Sequence, residues 1–148
     1  MIKKIFIYCL TFLFSALPVF SQSSEKISAI LNSEKITCGQ LAYLAGTYTN
    51  EVPEDSDEEG AFEILAKAGY FPAECAASTE LTLKQTSFVL AKAVNLKGGL
   101  LYTLTGSPRY AFRELKAIGA LPSSADPDMK LSGRDALGLM NSLLPDSE

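Results

Sequence analysis

Ala61-Phe62-x-x-Leu65-x-x-x-Gly69-x-x-Pro72 returns fifty residues later as Ala111-Phe112-x-x-Leu115-x-x-x-Gly119-x-x-Pro122. Leu81-Thr82-x-x-Gln85 returns at the same offset as Leu131-Ser132-x-x-Asp135, so residues 61–94 and 111–144 align without a gap. The shared positions are the ones that start helices, stop them and face a core. A repeat of this kind decides architecture, because each unit buries its apolar stripe against its neighbours.

The later part of the unit occurs a third time. Ile36-Thr37-Cys38-Gly39-Gln40-Leu41 matches the segments that open at Leu81 and Leu131. A hydroxyl residue at the N-cap with an amide or acid three positions on is a capping box, strict at Thr37 and Thr82 and approximate where Asp135 replaces glutamine. Downstream the apolar residues recur at helical spacing: Leu41, Leu44, Ala45 and Tyr48; Val89, Leu90 and Ala93; Ala136, Leu139, Met140 and Leu143. The pattern predicts helices at about 38–48, 83–95 and 133–144. The earlier part of each unit is helical too, with stripes Phe62, Leu65, Ala68 and Phe112, Leu115, Ile118. Ser56 or Asp57 caps the first copy, and Ser107 with Pro108 opens the second. Gly69 and Gly119 suit the left-handed position that ends a helix, and Pro72 and Pro122 prevent continuation. Elbows at 72–81 and 122–131 join the two helices of each unit. Ahead of Thr37, Ile27, Ile30 and Leu31 fit one short helix with no room for an elbow. Lys97-Gly98-Gly99 turns the chain before a further short helix at Leu100–Leu104. The expected fold is all-α.

The N-terminus reads as an export signal, residues 1–21. Lys3 and Lys4 precede an uncharged stretch from Ile5 to Leu17, Pro18 breaks it, and Val19-Phe20-Ser21 fits a cut before Gln22. The stretch falls short of the ~20 residues that span a bilayer. Cys9 follows Phe6-Ile7-Tyr8 and lacks the small residue that precedes a lipidated cysteine. Residues 22–148 form one expected domain with 11 basic and 17 acidic residues. Such a chain suits neither nucleic acid nor an anionic membrane surface. The expected location is the periplasm or cell envelope, or beyond it by secretion. Two arrangements fit Cys38 and Cys75: a disulfide, worth ~4 kcal/mol in the chain-entropy model, or two separate buried thiols.

The chain has no histidine and no tryptophan. A histidine-containing zinc site, a Ser-His or Cys-His nucleophile pair and histidine acid/base chemistry are excluded, and no enzyme, metal or cofactor is expected. The acidic run Glu51, Glu54, Asp55, Asp57, Glu58, Glu59 lacks the bidentate glutamate of a calcium loop and reads as a solvated linker whose last acids favour the next helix start. Asp126-Pro127-Asp128 reads as a turn. Arg109 and Tyr110, at a helix start, are candidate ligand-binding residues, joined by Tyr70 and Tyr102 if the units close up. Lys84 and Arg134 occupy equivalent places in two capped helices and read as solvated.

Taken together, the Ala-Phe-x-x-Leu-x-x-x-Gly helix, the ten-residue elbow and the Leu-Thr-x-x-Gln helix resemble the S-layer homology (SLH) module. The resemblance covers residues 36–48, 57–95 and 107–145, within repeat segments 27–48, 57–95 and 107–145. It implies about two and a half repeats closed into one compact pseudo-threefold domain, with grooves that hold cell-wall polysaccharide. The family's capped helix opens Thr-Arg-Ala-Glu, and its arginine contacts an anionic glycan. Cys38, Leu83 and Gly133 stand in the arginine's place here, so the capping role carries over and the glycan contact does not. The implied function is a non-catalytic envelope protein that binds wall glycan or an envelope protein. The alternative is a structural or accessory subunit of an envelope assembly with no small ligand. Oligomeric state is left open by these residues.

Overall fold

The computed structural model describes residues 18–144, which are all-α and contain no β-strand. The helices are α1 (Pro18–Leu31), α2 (Cys38–Thr49), α3 (Glu58–Lys67), α4 (Leu83–Ala93), α5 (Leu100–Thr105), α6 (Pro108–Ala117) and α7 (Gly133–Leu143). Of the expected export segment, residues 1–17 lie outside the described residues, and its last residues open α1. That makes α1 longer than the short helix the pattern around Ile27 and Ile30 suggests. No described helix is long and apolar enough to cross a membrane.

The caps form as their side chains allow. Thr37 Oγ1 accepts from the Gln40 N–H at 3.3 Å, and Gln40 Oε1 accepts from the Thr37 N–H at 3.3 Å. Thr82 and Gln85 exchange the same bonds at 3.4 and 2.9 Å. At α7 the Asp135 N–H reaches Ser132 Oγ at 3.1 Å, but the shorter acid accepts from the Ser132 hydroxyl at 2.7 Å instead of from its backbone. Asp57, not Ser56, caps α3, accepting from the Gly60 N–H at 2.8 Å. At the other end, Gly69 has φ +75° and the Tyr70 N–H bonds to Leu65 O at 3.0 Å, which closes a Schellman turn. Gly119, with φ +81°, ends α6. Ala68 and Ile118, expected on the buried stripes, are exposed because they sit at these C-caps, where the chain turns away. Ala61 and Ala111 take their places in the core. Tyr48 is likewise exposed, one residue before α2 ends.

Packing pairs the helices differently from their order within a sequence unit. α2 packs on α3, α4 on α6, and α1 on α7. The helices joined by an elbow, α3 with α4 and α6 with α7, are not among the packed pairs, so each elbow carries the chain from one pair to the next. α2, α4 and α7 also touch one another. They form the centre, with Leu41, Ala45, Val89, Leu90, Ala136 and Leu139 buried, and α3, α6 and α1 lie outside them. The N-terminal α1 is the outer helix that packs on α7.

The starts of the three central helices are bonded in cyclic order. The N–H of Cys38 donates to Thr79 O at 2.8 Å, that of Leu83 to Met129 O at 2.8 Å, and that of Gly133 to Ser33 O at 3.0 Å. The apolar residues ahead of the caps join in: Ile36 N–H donates to Leu131 O at 2.8 Å, and Leu81 N–H to Ile36 O at 3.1 Å. These groups are buried among apolar side chains, where an unpaired backbone group would cost ~1–3 kcal/mol. One buried hydroxyl, Thr86 Oγ1, has no partner. It stands at the fifth cap position, where Leu41 and Ala136 are apolar.

Gly133 is where α1 meets this ring. A Cβ there would lie 1.8 Å from the carbonyl oxygen of Ile30 and 2.6 Å from Ser33 Oγ, whereas one on Gly138 would meet nothing within 4 Å. Gly133→Ala is expected to destabilise the fold by about 3 kcal/mol, and Gly138→Ala to stabilise it by about 0.5–1 kcal/mol through helix propensity. Urea unfolding of the two variants checks both signs.

Candidate functional site

Two backbone bonds recur, with donors 45 residues on and acceptors fifty residues on, and create comparable junctions. At the first, Cys38 N–H and Gly39 N–H donate to Thr79 O and Ala77 O; at the second, Leu83 N–H and Lys84 N–H donate to Met129 O and Pro127 O. The side chains around them differ. A Cβ on Gly39 would be 3.0 Å from Cβ of Glu58, so the start of α3 lies directly against the start of α2. At the second junction Lys84 replaces that glycine and Pro108 occupies the place of Glu58. Here a cleft of about 600 Å³ opens between α4, the start of α6 and the elbow, lined by Lys84, Ser107, Pro108, Arg109, Phe112, Arg113 and Pro127.

The second cleft is cationic. Arg109 and Arg113 lie one turn apart on α6, both exposed, and neither is in an ion pair among the described residues. Lys84 Nζ lies 2.6 Å from Asp128 Oδ1, and Asp128 is itself held by its N–H bond to Asp126 Oδ1 at 2.9 Å. Ser107 lines the cleft and makes no side-chain cap bond to α6. Charge is divided along the chain in the same sense. Residues 22–81 carry eleven acidic and three basic side chains, residues 82–148 six acidic and eight basic. An anion approaching the C-terminal half meets guanidinium groups free to form bidentate bonds.

The four residues nominated from the sequence are not gathered in one groove. Arg109 lines the cationic cleft. Tyr102 lines a different one, about 630 Å³, with Lys92, Asn95, Lys97 and Thr103. Tyr70 is 5% exposed and belongs to the core: its hydroxyl donates to Glu51 Oε1 at 3.0 Å, and Lys92 Nζ sits 4.4 Å from its ring centroid. Tyr110 is half-buried and lines neither cleft. Lys84, read as solvated, belongs to the site, while Arg134 is exposed and outside it. Arg113 was overlooked. Its signal was the i, i+4 spacing from Arg109, which puts two arginines on one helix face.

Cys38 is buried and Cys75 half-buried, and neither is bridged. No cluster of three or more metal-ligating side chains occurs among the described residues. No family model matches the chain. Neither a curated protein nor a solved structure matches it.

Burial, then the hydrogen bond to Glu51 and its charge, push the Tyr70 hydroxyl from 10.0 up to about 12. Burial, then the neighbouring Cys75, push the Cys38 thiol from 9.0 up to about 12. Both groups keep their protons in the folded chain beyond the pH at which the unfolded chain releases them. Their contribution is full below the unfolded values and is lost as pH climbs toward the folded ones. Tyr70→Phe is expected to lower neutral stability by about 1 kcal/mol and to make the alkaline decline shallower. Urea midpoints measured across the alkaline range would show an unchanged slope if Tyr70 does not contribute.

Proposed function

We propose that this chain is a non-catalytic, exported cell-envelope protein that binds an anionic cell-wall glycan in the cleft of Lys84, Arg109 and Arg113. In this reading the three helix pairs are SLH-like modules, two complete and one divided between the N-terminal segment and α7, closed about a pseudo-threefold axis. The observation that carries the ligand assignment is the pair of unpaired arginines on α6 facing Lys84 across a wall of Pro108, Phe112 and Pro127. Guanidinium groups recognise carboxylates by two parallel bonds, and the proline and phenylalanine faces suit the apolar face of a sugar ring.

The mechanism is capture without reaction. The ring holds α4, α6 and the elbow at fixed spacing, so the cations are placed before ligand arrives and little ordering entropy is lost on binding. Asp128 holds Lys84 in position and is displaced or shared when an anionic group enters. The equivalent of this cleft at the first junction is shut by α3 and bordered by Glu58, so that junction offers no second site.

Sedimentation or calorimetry with purified envelope polysaccharide tests the reading. Arg109→Ala and Arg113→Ala are each expected to weaken binding about tenfold, as loss of a charge-assisted bond implies. Tyr110→Ala should leave affinity unchanged, and added salt should lower it. Absence of binding to any envelope glycan by the unmodified chain would overturn the ligand assignment and favour the accessory-subunit role.

A further inference from the structure

The two junctions share their backbone bonds, yet only the first carries a cysteine on each side, Cys38 at the start of α2 and Cys75 in the elbow that α2 holds. Cys38 is the first residue of α2 and fully buried, and Cys75 lies at the beginning of the elbow opposite, packed against the core and open to solvent on one side. Cys38 N–H and Gly39 N–H hold that elbow through Thr79 O and Ala77 O, and the Cys75 N–H bonds to Pro72 O at 3.1 Å, fixing the elbow's own turn. At the second junction the corresponding places are filled by Leu83 and Ala125, both in or against the core. An apolar pair therefore satisfies the packing of such a junction, and sulfur is not needed for it.

We propose that Cys38 and Cys75 form a disulfide that locks the start of α2 to the elbow between α3 and α4. The oxidant is a small-molecule disulfide. Cys75, the solvent-facing thiol, loses its proton and attacks one sulfur of the donor; a mixed disulfide forms and one donor thiolate leaves. Cys38 then gives its proton to solvent base, its sulfur attacks that of Cys75, and the second donor thiolate departs. Two protein thiols are oxidised by two electrons, and the donor is reduced to two thiols. Burial keeps Cys38 protonated, so the second step sets the pace and quickens as pH rises. The bond closes the junction that has no open cleft, and it leaves the cationic cleft of the second junction untouched. The proposal stands apart from glycan binding.

The test uses the folded, reduced full chain incubated with oxidised glutathione under native conditions, then acid-quenched, alkylated and mapped by mass spectrometry. The expected result is a Cys38–Cys75 linked peptide pair, reversed by dithiothreitol, and a melting temperature about 10 °C above that of the reduced chain. Cys75→Ala, which places at the first junction the residue already present at Ala125, should fold and lack the rise. Recovery of both thiols as alkylated cysteines would overturn the proposal. So would a stable glutathione adduct on Cys75 beside a free Cys38, a bridge to Cys9, or a Cys38–Cys75 bridge that forms only in urea.

Discussion

Everything in this fold depends on the cyclic hydrogen bonding of three helix starts. Each central helix presents its first N–H groups to a neighbouring segment: Cys38 to Thr79, Leu83 to Met129, Gly133 to Ser33. A helix start ordinarily satisfies those donors with water or side chains. Here the capping threonines and serine take the third position, and the first is left for another part of the chain. The capping boxes are thus half of a division of labour whose other half is the ring. The bond from the Gly133 N–H to Ser33 O ties the start of the C-terminal α7 to the segment that follows the N-terminal α1.

The ring also explains which residues stand at the first place of the central helices, where the proposed SLH resemblance would put an arginine. Cys38, Leu83 and Gly133 occupy the first helical place, and all three are buried because their backbones bond to the next segment. A charged side chain there would have to leave the core. At Gly133 the carbonyl of Ile30 removes even the room for a methyl group. In this chain positive charge therefore moves one place along, to Lys84, and across to the outer helix, at Arg109 and Arg113. Two junctions with the same backbone bonds thereby acquire opposite characters, one shut and sulfur-lined, the other open and cationic.

Helices were legible in the sequence because their signals are local. A cap, an apolar period and a left-handed glycine act within a few residues, and α2, α4 and α7 fall within two residues of their expected bounds. The pairing was not legible. The fifty-residue echo joins α3 to α4 and α6 to α7, whereas packing joins α2 to α3, α4 to α6 and α1 to α7, a shift set by the elbows' length and not by any residue in the helices. The site was legible in part for the same reason. Arg109 stands out at a helix start, but Lys84 becomes a site residue only when the elbow at Pro127 comes beside it. Tyr70 looks like a groove residue until burial takes its ring into the core under Lys92 and beside Glu51, and Tyr102 lines a cleft other than that of Arg109.

Amide hydrogen exchange at the helix starts tests the closed ring most directly. If the ring holds the fold together, the N–H groups of Cys38, Leu83 and Gly133 exchange only through global unfolding, with one shared free energy and one shared urea dependence. Exchange of Gly133 at markedly lower free energy than Leu83, with α1 opening on its own, would contradict closure and leave the central helices as an open row.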